Sequence, residues 1–194
     1  MCELCAPPVL EVRVALPQTI VVASGWYEGA LRSAVLAVKD GRRDVAETLG
    51  YRIAQFVQSG TTLVPVPTTR ARLRVRGVDG VALAAKCAAE RAGATVLRAL
   101  EQRTGDAQRG RTREERLAAR NRFRCRATVR GRRVVLVDDV CTTGATLMDC
   151  ANVLTAAGAT VTGAVVVAAT KAAPLWTPAN SATPTNSTFS EPTS

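Results

Sequence analysis

The stretch RRVVLVDDVCTTGATL, Arg132 to Leu147, runs a short apolar segment into two adjacent aspartates and then a small, hydroxyl-rich turn. Asp138 and Asp139 can accept hydrogen bonds from the vicinal hydroxyls of a ribose, or organise a hard divalent cation through its waters. The turn has the opposite polarity. Gly144 lets the backbone come close to a ligand, the hydroxyls of Thr142, Thr143 and Thr146 can donate, and amides opening a following helix point at an anion. A helix N-terminus contributes only about 0.3 to 1 kcal/mol to a nearby negative charge, whereas each hydrogen bond to a charged group contributes about 1.5 to 3 kcal/mol. Amide and hydroxyl donors therefore dominate phosphate binding, and the two halves together suit a mononucleotide or a sugar phosphate.

Such residues need elements to hold them. Val134 to Val137 form a short, β-branched run with no polar alternation, which reads as a strand buried on both faces. The aspartates stand at its carboxyl end, where open parallel sheets place ligand crevices. Upstream, EVRVAL and TIVVA read as two strands around Pro17, and Leu31, Val35 and Val38 mark one face of a helix that Gly41 ends. A second helix carries Leu49, Ile53 and Phe56. TLVPVP reads as a strand interrupted by prolines, VALAAKCAAERAG as a helix stopped at Gly93, and TVLRAL as a strand. A charged loop and a short basic helix near Arg113 to Arg120 follow. After the acidic strand come a helix reaching Gly158 and the strand TVTGAVVVAA. Strands alternating with helices predict an α/β fold.

The 194 residues, 47% apolar, suit one domain with a full core. No apolar stretch approaches the roughly 20 residues of a membrane helix, and MCELCAPP lacks the features of a signal peptide, so no membrane span and a cytoplasmic location are expected. Six cysteines in that setting read as reduced thiols or metal ligands. Histidine is absent, which excludes imidazole-based triads and acid–base schemes. The formal charge of +10 attracts anions, and much of it lies between Arg98 and Arg133. With 4% aromatic residues, stacking platforms for single-stranded nucleic acid are scarce. The expected organisation is a partial Cys-x-x-Cys segment over 1–10, a domain over 11–170, and a disordered Pro-, Ser- and Thr-rich tail over 171–194.

Other families also end a strand in acids. A Walker B strand requires an upstream glycine loop with Lys followed by Ser or Thr, and none occurs here. A receiver-like pair would open its domain, whereas this pair precedes the last strand. Dinucleotide binding would need G-x-G-x-x-G after an early strand. A plain core strand with an acidic end is disfavoured, because adjacent carboxylates repel one another unless something organises them.

At VVLVDDVCTTGAT the chain resembles the type I phosphoribosyltransferases. That resemblance implies their largely parallel sheet flanked by helices. It also implies that Asp138 and Asp139 contact the ribose hydroxyls of phosphoribosyl pyrophosphate, while Thr142, Thr143, Gly144, Ala145 and Thr146 bind its 5-phosphate. From Trp26 to about Thr170, YEGALRSAVLAVKDGRR, VPVPTTRARLRVRGVDG and the aspartate motif follow the order of ComF-type phosphoribosyltransferases, associated in some bacteria with DNA uptake competence. By that resemblance Arg72 and Arg76 face the pyrophosphate, and Gln108 and Arg116 belong to a loop covering the site. Val78 stands where those chains have an aromatic residue, a difference that bears on the acceptor side.

The expected activity is transfer of a phosphoribosyl group to a nucleobase or other nitrogen acceptor, with Mg2+ held at Asp138 and Asp139 through water and pyrophosphate released. The alternative is a non-catalytic accessory or regulatory protein of DNA uptake that binds phosphoribosyl pyrophosphate in the same pocket. Single-stranded DNA and the uptake machinery are its candidate partners, and a second copy of the chain is a candidate partner under either reading. Cys2 and Cys5 make half of a zinc knuckle, but no second pair follows, so a Zn2+ site would draw on distant residues or another subunit. Lys39 could contact a phosphate, with a solvated helix end as the favoured reading, while Cys141 reads as a tolerated small side chain and Cys87, Cys125 and Cys150 as buried apolar residues.

Overall fold

The structure, a computed structural model, describes residues 8–103 and 122–175. Two short strands open the fold, β1 (Val12–Leu16) and β2 (Thr19–Ala23), and pair as an antiparallel hairpin. Helices α1 (Gly29–Lys39) and α2 (Arg43–Ala54) follow, then β3 (Thr62–Pro65), α3 (Arg70–Arg76) and α4 (Gly80–Ala92). Next come β4 (Thr95–Val96), β5 (Leu100–Gln102), β6 (Phe123–Cys125), β7 (Arg133–Cys141), α5 (Ala145–Ala156) and β8 (Thr160–Ala169).

Six strands form one sheet in the order β1-β2-β8-β7-β3-β4, parallel throughout except for the β1–β2 pair. The unbroken apolar run of β7 occupies its middle, as a strand covered on both faces must. Alternation divides that run between two cores. Val134 and Leu136 pack with Leu147 and Leu154 of α5, while Val135 and Val137 pack with Leu31 and Val35 of α1, Leu49 and Ile53 of α2, and Ala84 and Ala88 of α4. Leu136 is fully buried, and removing such a side chain from water contributes about 1.5 to 3 kcal/mol.

Several elements differ from the pattern in the sequence. The proline-containing strand is interior: β3 ends at Pro65, and the next amide, Val66 N–H, donates to Val137 O at 2.8 Å, so the sheet contact continues past the missing donor. TVLRAL is two strands rather than one. Its first half extends the main sheet as β4, and its end turns away as β5 to pair with β6 in a separate antiparallel sheet. β7 continues four residues beyond its apolar run, because Asp138, Val140 and Cys141 still pair with Val166, Ala168 and Ala169 of β8. Beyond position 170, Pro174 O accepts from Ala15 N–H at 2.8 Å, so this part of the expected tail lies along β1. The basic segment at Arg113 to Arg120 lies outside the described residues.

Glycines permit two close approaches that shape the cleft. In α2, a Cβ on Gly50 would stand 2.6 Å from Ala84 O and 2.7 Å from Cys87 Cβ, so α2 and α4 touch backbone to backbone. Gly144, at φ +78°, leads β7 into α5, and a Cβ there would collide with both methyls of the buried Leu16, standing 2.7 Å from the farther one. Gly50→Ala gains about 1 kcal/mol of helix propensity but forces the two helices apart at a cost of about 1 to 3 kcal/mol. A net loss of stability is therefore expected in urea denaturation; a stabilised variant would show that the helices do not meet this closely. Gly144→Ala combines a left-handed backbone with collision against Leu16 and should cost about 2 to 4 kcal/mol. In a double-mutant cycle with Leu16→Ala the combined cost should fall short of the sum, and additivity would argue against this contact.

Candidate active site

The alternation that sorts Val134 to Val137 does not continue to the end of β7, since Val140 packs on the α1 side and Cys141 on the α5 side, and Asp138 and Asp139 both face one cleft with their carboxyl groups close enough to share a hydrogen bond. Backbone amides fix both carboxylates: Asp139 N–H donates to Asp138 Oδ1 at 2.8 Å, and Val140 N–H donates to Asp139 Oδ1 at 2.7 Å. The other oxygen of Asp139, Oδ2, lies 3.2 Å from Lys39 Nζ at the end of α1. Asp138 keeps some surface open to the cleft, yet loss of bulk water is the largest influence on its carboxyl. Together with the adjacent charge of Asp139, that loss raises its pKa well above the usual carboxylate range, while the Asp139 amide and Lys39 act in the opposite direction.

The acids open into a cleft of about 240 Å³. α3 supplies its basic wall. Thr69 caps this helix by accepting from Arg72 N–H at 3.1 Å, Gly77 ends it in the left-handed conformation, and the four-residue spacing places Arg72 and Arg76 together on the cleft side. Thr68 and Thr69 border the cleft where β3 runs into α3. A Cβ on Gly41, at φ +92°, would lie 2.9 Å from Arg76 O, so the turn after α1 abuts the end of α3. The small β5–β6 sheet closes another side with Gln102, Arg122 and Phe123. Arg122 is held by Asp149 of α5 at 2.7 Å, with its guanidinium 5.9 Å from the centre of the Phe123 ring. Glu101 fixes the same sheet through Arg124 and, at 2.8 Å, through Arg126.

The turn from 142 to 146 adjoins the acids. Thr142 and Thr143 are exposed, Gly144 is the N-cap of α5, and Ala145 and Thr146 form its first turn, with Thr146 bordering the cleft. Ala145 N–H donates to Thr143 Oγ1 at 3.4 Å, a long contact that a stronger acceptor would outcompete. Of the expected residues, then, Asp138, Asp139, Thr146, Arg72 and Arg76 share one cleft, and Thr142 to Ala145 form the turn at its edge. Gln108, Arg116, Cys2 and Cys5 lie outside the described residues.

Lys39 corrects the reading of a solvated helix end, since it reaches an acid that lies a hundred positions away in the chain. Gln102, Arg122 and Phe123 carried no motif, and only the pairing of β5 with β6 brings them to the cleft. Val78 is buried and is not among the residues facing the cleft. Cys141 is also buried, and its thiol is pushed up to about 11 by burial and then by the charge of Asp138, which suits a packing residue rather than a nucleophile.

Among the described residues no cluster of three or more acidic or cysteine side chains could enclose a metal ion. Two adjacent carboxylates fit a magnesium ion that takes its remaining ligands from water and substrate phosphates, the usual arrangement for that cation. Among the same residues no helix is long and apolar enough to cross a membrane.

A search of curated proteins finds no match. Among solved structures, the chain is similar to an allosteric regulatory enzyme of purine biosynthesis, at 22% identity and a TM-score of 0.47 over 66% of this chain and 26% of the other. It is also similar to the orotate phosphoribosyltransferase from Aeropyrum pernix, at 24% identity and a TM-score of 0.38 over 63% of this chain and 56% of the other. The phosphoribosylpyrophosphate synthetase from Mycobacterium smegmatis matches at 17% identity and a TM-score of 0.34 over 66% of this chain and 32% of the other. The chain spans less than two thirds of the length of each of these proteins. The family model "Phosphoribosyl transferase domain" matches residues 79–179, just over half of the chain, from the start of α4 through the acidic strand and past β8. With that match and a largely parallel sheet flanked by helices, the protein belongs to the phosphoribosyl transferase domain family and has the type I fold.

Proposed function

We propose that this chain is a ComF-like phosphoribosyltransferase, which binds phosphoribosyl pyrophosphate and transfers its phosphoribosyl group to a nitrogen acceptor. The carrying observation is that Asp138 and Asp139 share one cleft with Arg72, Arg76 and Thr146. A phosphorylated pentose that carries a pyrophosphate needs acceptors for its hydroxyls flanked by cations and donors for its phosphates, and this cleft has that order of polarity.

In the reaction, the lone pair of the acceptor nitrogen forms the bond to ribose C1 as the bond from C1 to the pyrophosphate oxygen breaks. Positive charge develops on the sugar, and negative charge gathers on the leaving group. Asp138 and Asp139 orient the ribose hydroxyls, and their negative charge lies on the side of the cationic sugar. Arg72 and Arg76 stabilise the departing pyrophosphate. Magnesium, when bound, supplies further positive charge to the leaving group. A proton shed by the acceptor nitrogen passes to the departing pyrophosphate or to water, so the acids need not remove it, which is consistent with a site without histidine. The turn from Thr142 to Thr146 holds the 5-phosphate, with amide and hydroxyl donors contributing about 1.5 to 3 kcal/mol each.

The net charge of +10 favours a second reading, in which the same pocket senses phosphoribosyl pyrophosphate for a DNA-uptake accessory protein. Calorimetry with magnesium and phosphoribosyl pyrophosphate should show donor binding that falls at least a hundredfold in Asp138→Asn/Asp139→Asn, and unchanged affinity would reject these residues as the donor site. Pyrophosphate release across a panel of nucleobases and simple amines is expected for at least one acceptor. Donor binding with no turnover, joined to salt-sensitive binding of single-stranded DNA, would instead favour the accessory protein.

A further inference from the structure

Lys39 is the last residue of α1, and its ammonium stands in the cleft 3.2 Å from Asp139 Oδ2. We propose that Lys39 is a positioning residue: it serves as the resident counter-cation of Asp139, holds that carboxylate in place while the cleft is empty, and yields its seat when the donor arrives with a divalent cation. This rests on reading the cleft as the donor site.

The geometry of the pair supports exchange. Asp139 Oδ1 is already engaged by Val140 N–H, so Lys39 takes the other oxygen, the one left for a ribose hydroxyl or a hydrated cation. The carboxyl end of α1 carries partial negative charge, which keeps an ammonium nearby even without a ligand. The helix itself has little room to move. The turn at Gly41 abuts Arg76 O, and Val38 fills the space that a Cβ on Gly80 would occupy, so exchange falls to the flexible Lys39 side chain.

Strength decides whether such a pair can give way. The Lys39 and Asp139 side chains are 32% and 29% exposed, and a single N···O contact joins them. Pairs of this kind are weakly held against water, and a ligand bringing several phosphate charges and a divalent cation can displace one. Lysine suits the role better than arginine, whose planar fork would engage the carboxylate through two bonds and release it less readily.

The test uses the full chain and Mn2+ alone, followed by electron paramagnetic resonance of the free ion. Lys39→Met should bind Mn2+ about fivefold more tightly than the wild type, the factor that corresponds to a screened attraction of about 1 kcal/mol. Lys39→Arg should restore the weaker binding. Lys86→Met, a control at a surface lysine paired with Glu90, should leave it unchanged, and adding Asp139→Asn to Lys39→Met should remove the gain. Equal Mn2+ affinity in wild type and Lys39→Met, no Mn2+ binding in either, or the same gain in Lys86→Met would overturn the proposal. Failure of the wild type to bind phosphoribosyl pyrophosphate would defeat the donor-site reading instead, and the Mn2+ comparison would still judge Lys39.

Discussion

Two like charges on consecutive residues of a strand are unfavourable unless their surroundings hold them, and the cleft is arranged around that constraint. Asp138 and Asp139 sit where β7 leaves the doubly covered middle of the sheet. Two backbone amides each take one carboxylate oxygen, Lys39 takes another, and the two side chains share a hydrogen bond. What remains is a raised proton affinity at Asp138 and an open cleft in front of both acids. A ligand rich in hydroxyls, accompanied by a cation, relieves the same strain that the empty site compensates internally.

The rest of the fold brings opposite charge to within reach of that pair. α3 contributes Arg72 and Arg76, α1 contributes Lys39, and the turn into α5 presents hydroxyls and amides. These segments are far apart in sequence, and close backbone contacts at glycines fix their relation. Gly41 seats the α1 turn against α3, Gly50 joins α2 to α4, and Gly144 lets the turn after β7 press on Leu16 of β1. Precision at the site thus comes from backbone contacts both outside it, at Gly41 and Gly50, and within its turn, at Gly144, which is why small changes at these glycines should reach the chemistry.

Local patterns made the acidic strand, the following turn and most helices legible in the sequence. Val134 to Val137 announce a strand buried on two faces, and the aspartates and Gly144 behind them define a motif over a few residues. Pairing between distant segments was not legible. β5 and β6 are three residues each, too short for a periodic signal, and the cleft positions of Gln102, Phe123 and the preceding Arg122 follow only from that pairing. The choice between a phosphate contact and a solvated end for Lys39 was not legible for the same reason, because its partner Asp139 lies a hundred residues away. TLVPVP reads as a strand interrupted by prolines, and β3 does end at Pro65; what its pattern does not give is its place inside the sheet, between β7 and β4, with the contact to β7 resuming at Val66.

The most direct measurement is a crystal structure of the full chain with magnesium and phosphoribosyl pyrophosphate. The expected result places the ribose hydroxyls within hydrogen-bond distance of Asp138 and Asp139, the 5-phosphate in the turn from Thr142 to Thr146, and the pyrophosphate beside Arg72 and Arg76. A donor bound elsewhere on the molecule, or bound here with its ribose turned away from both aspartates, would contradict the central claim.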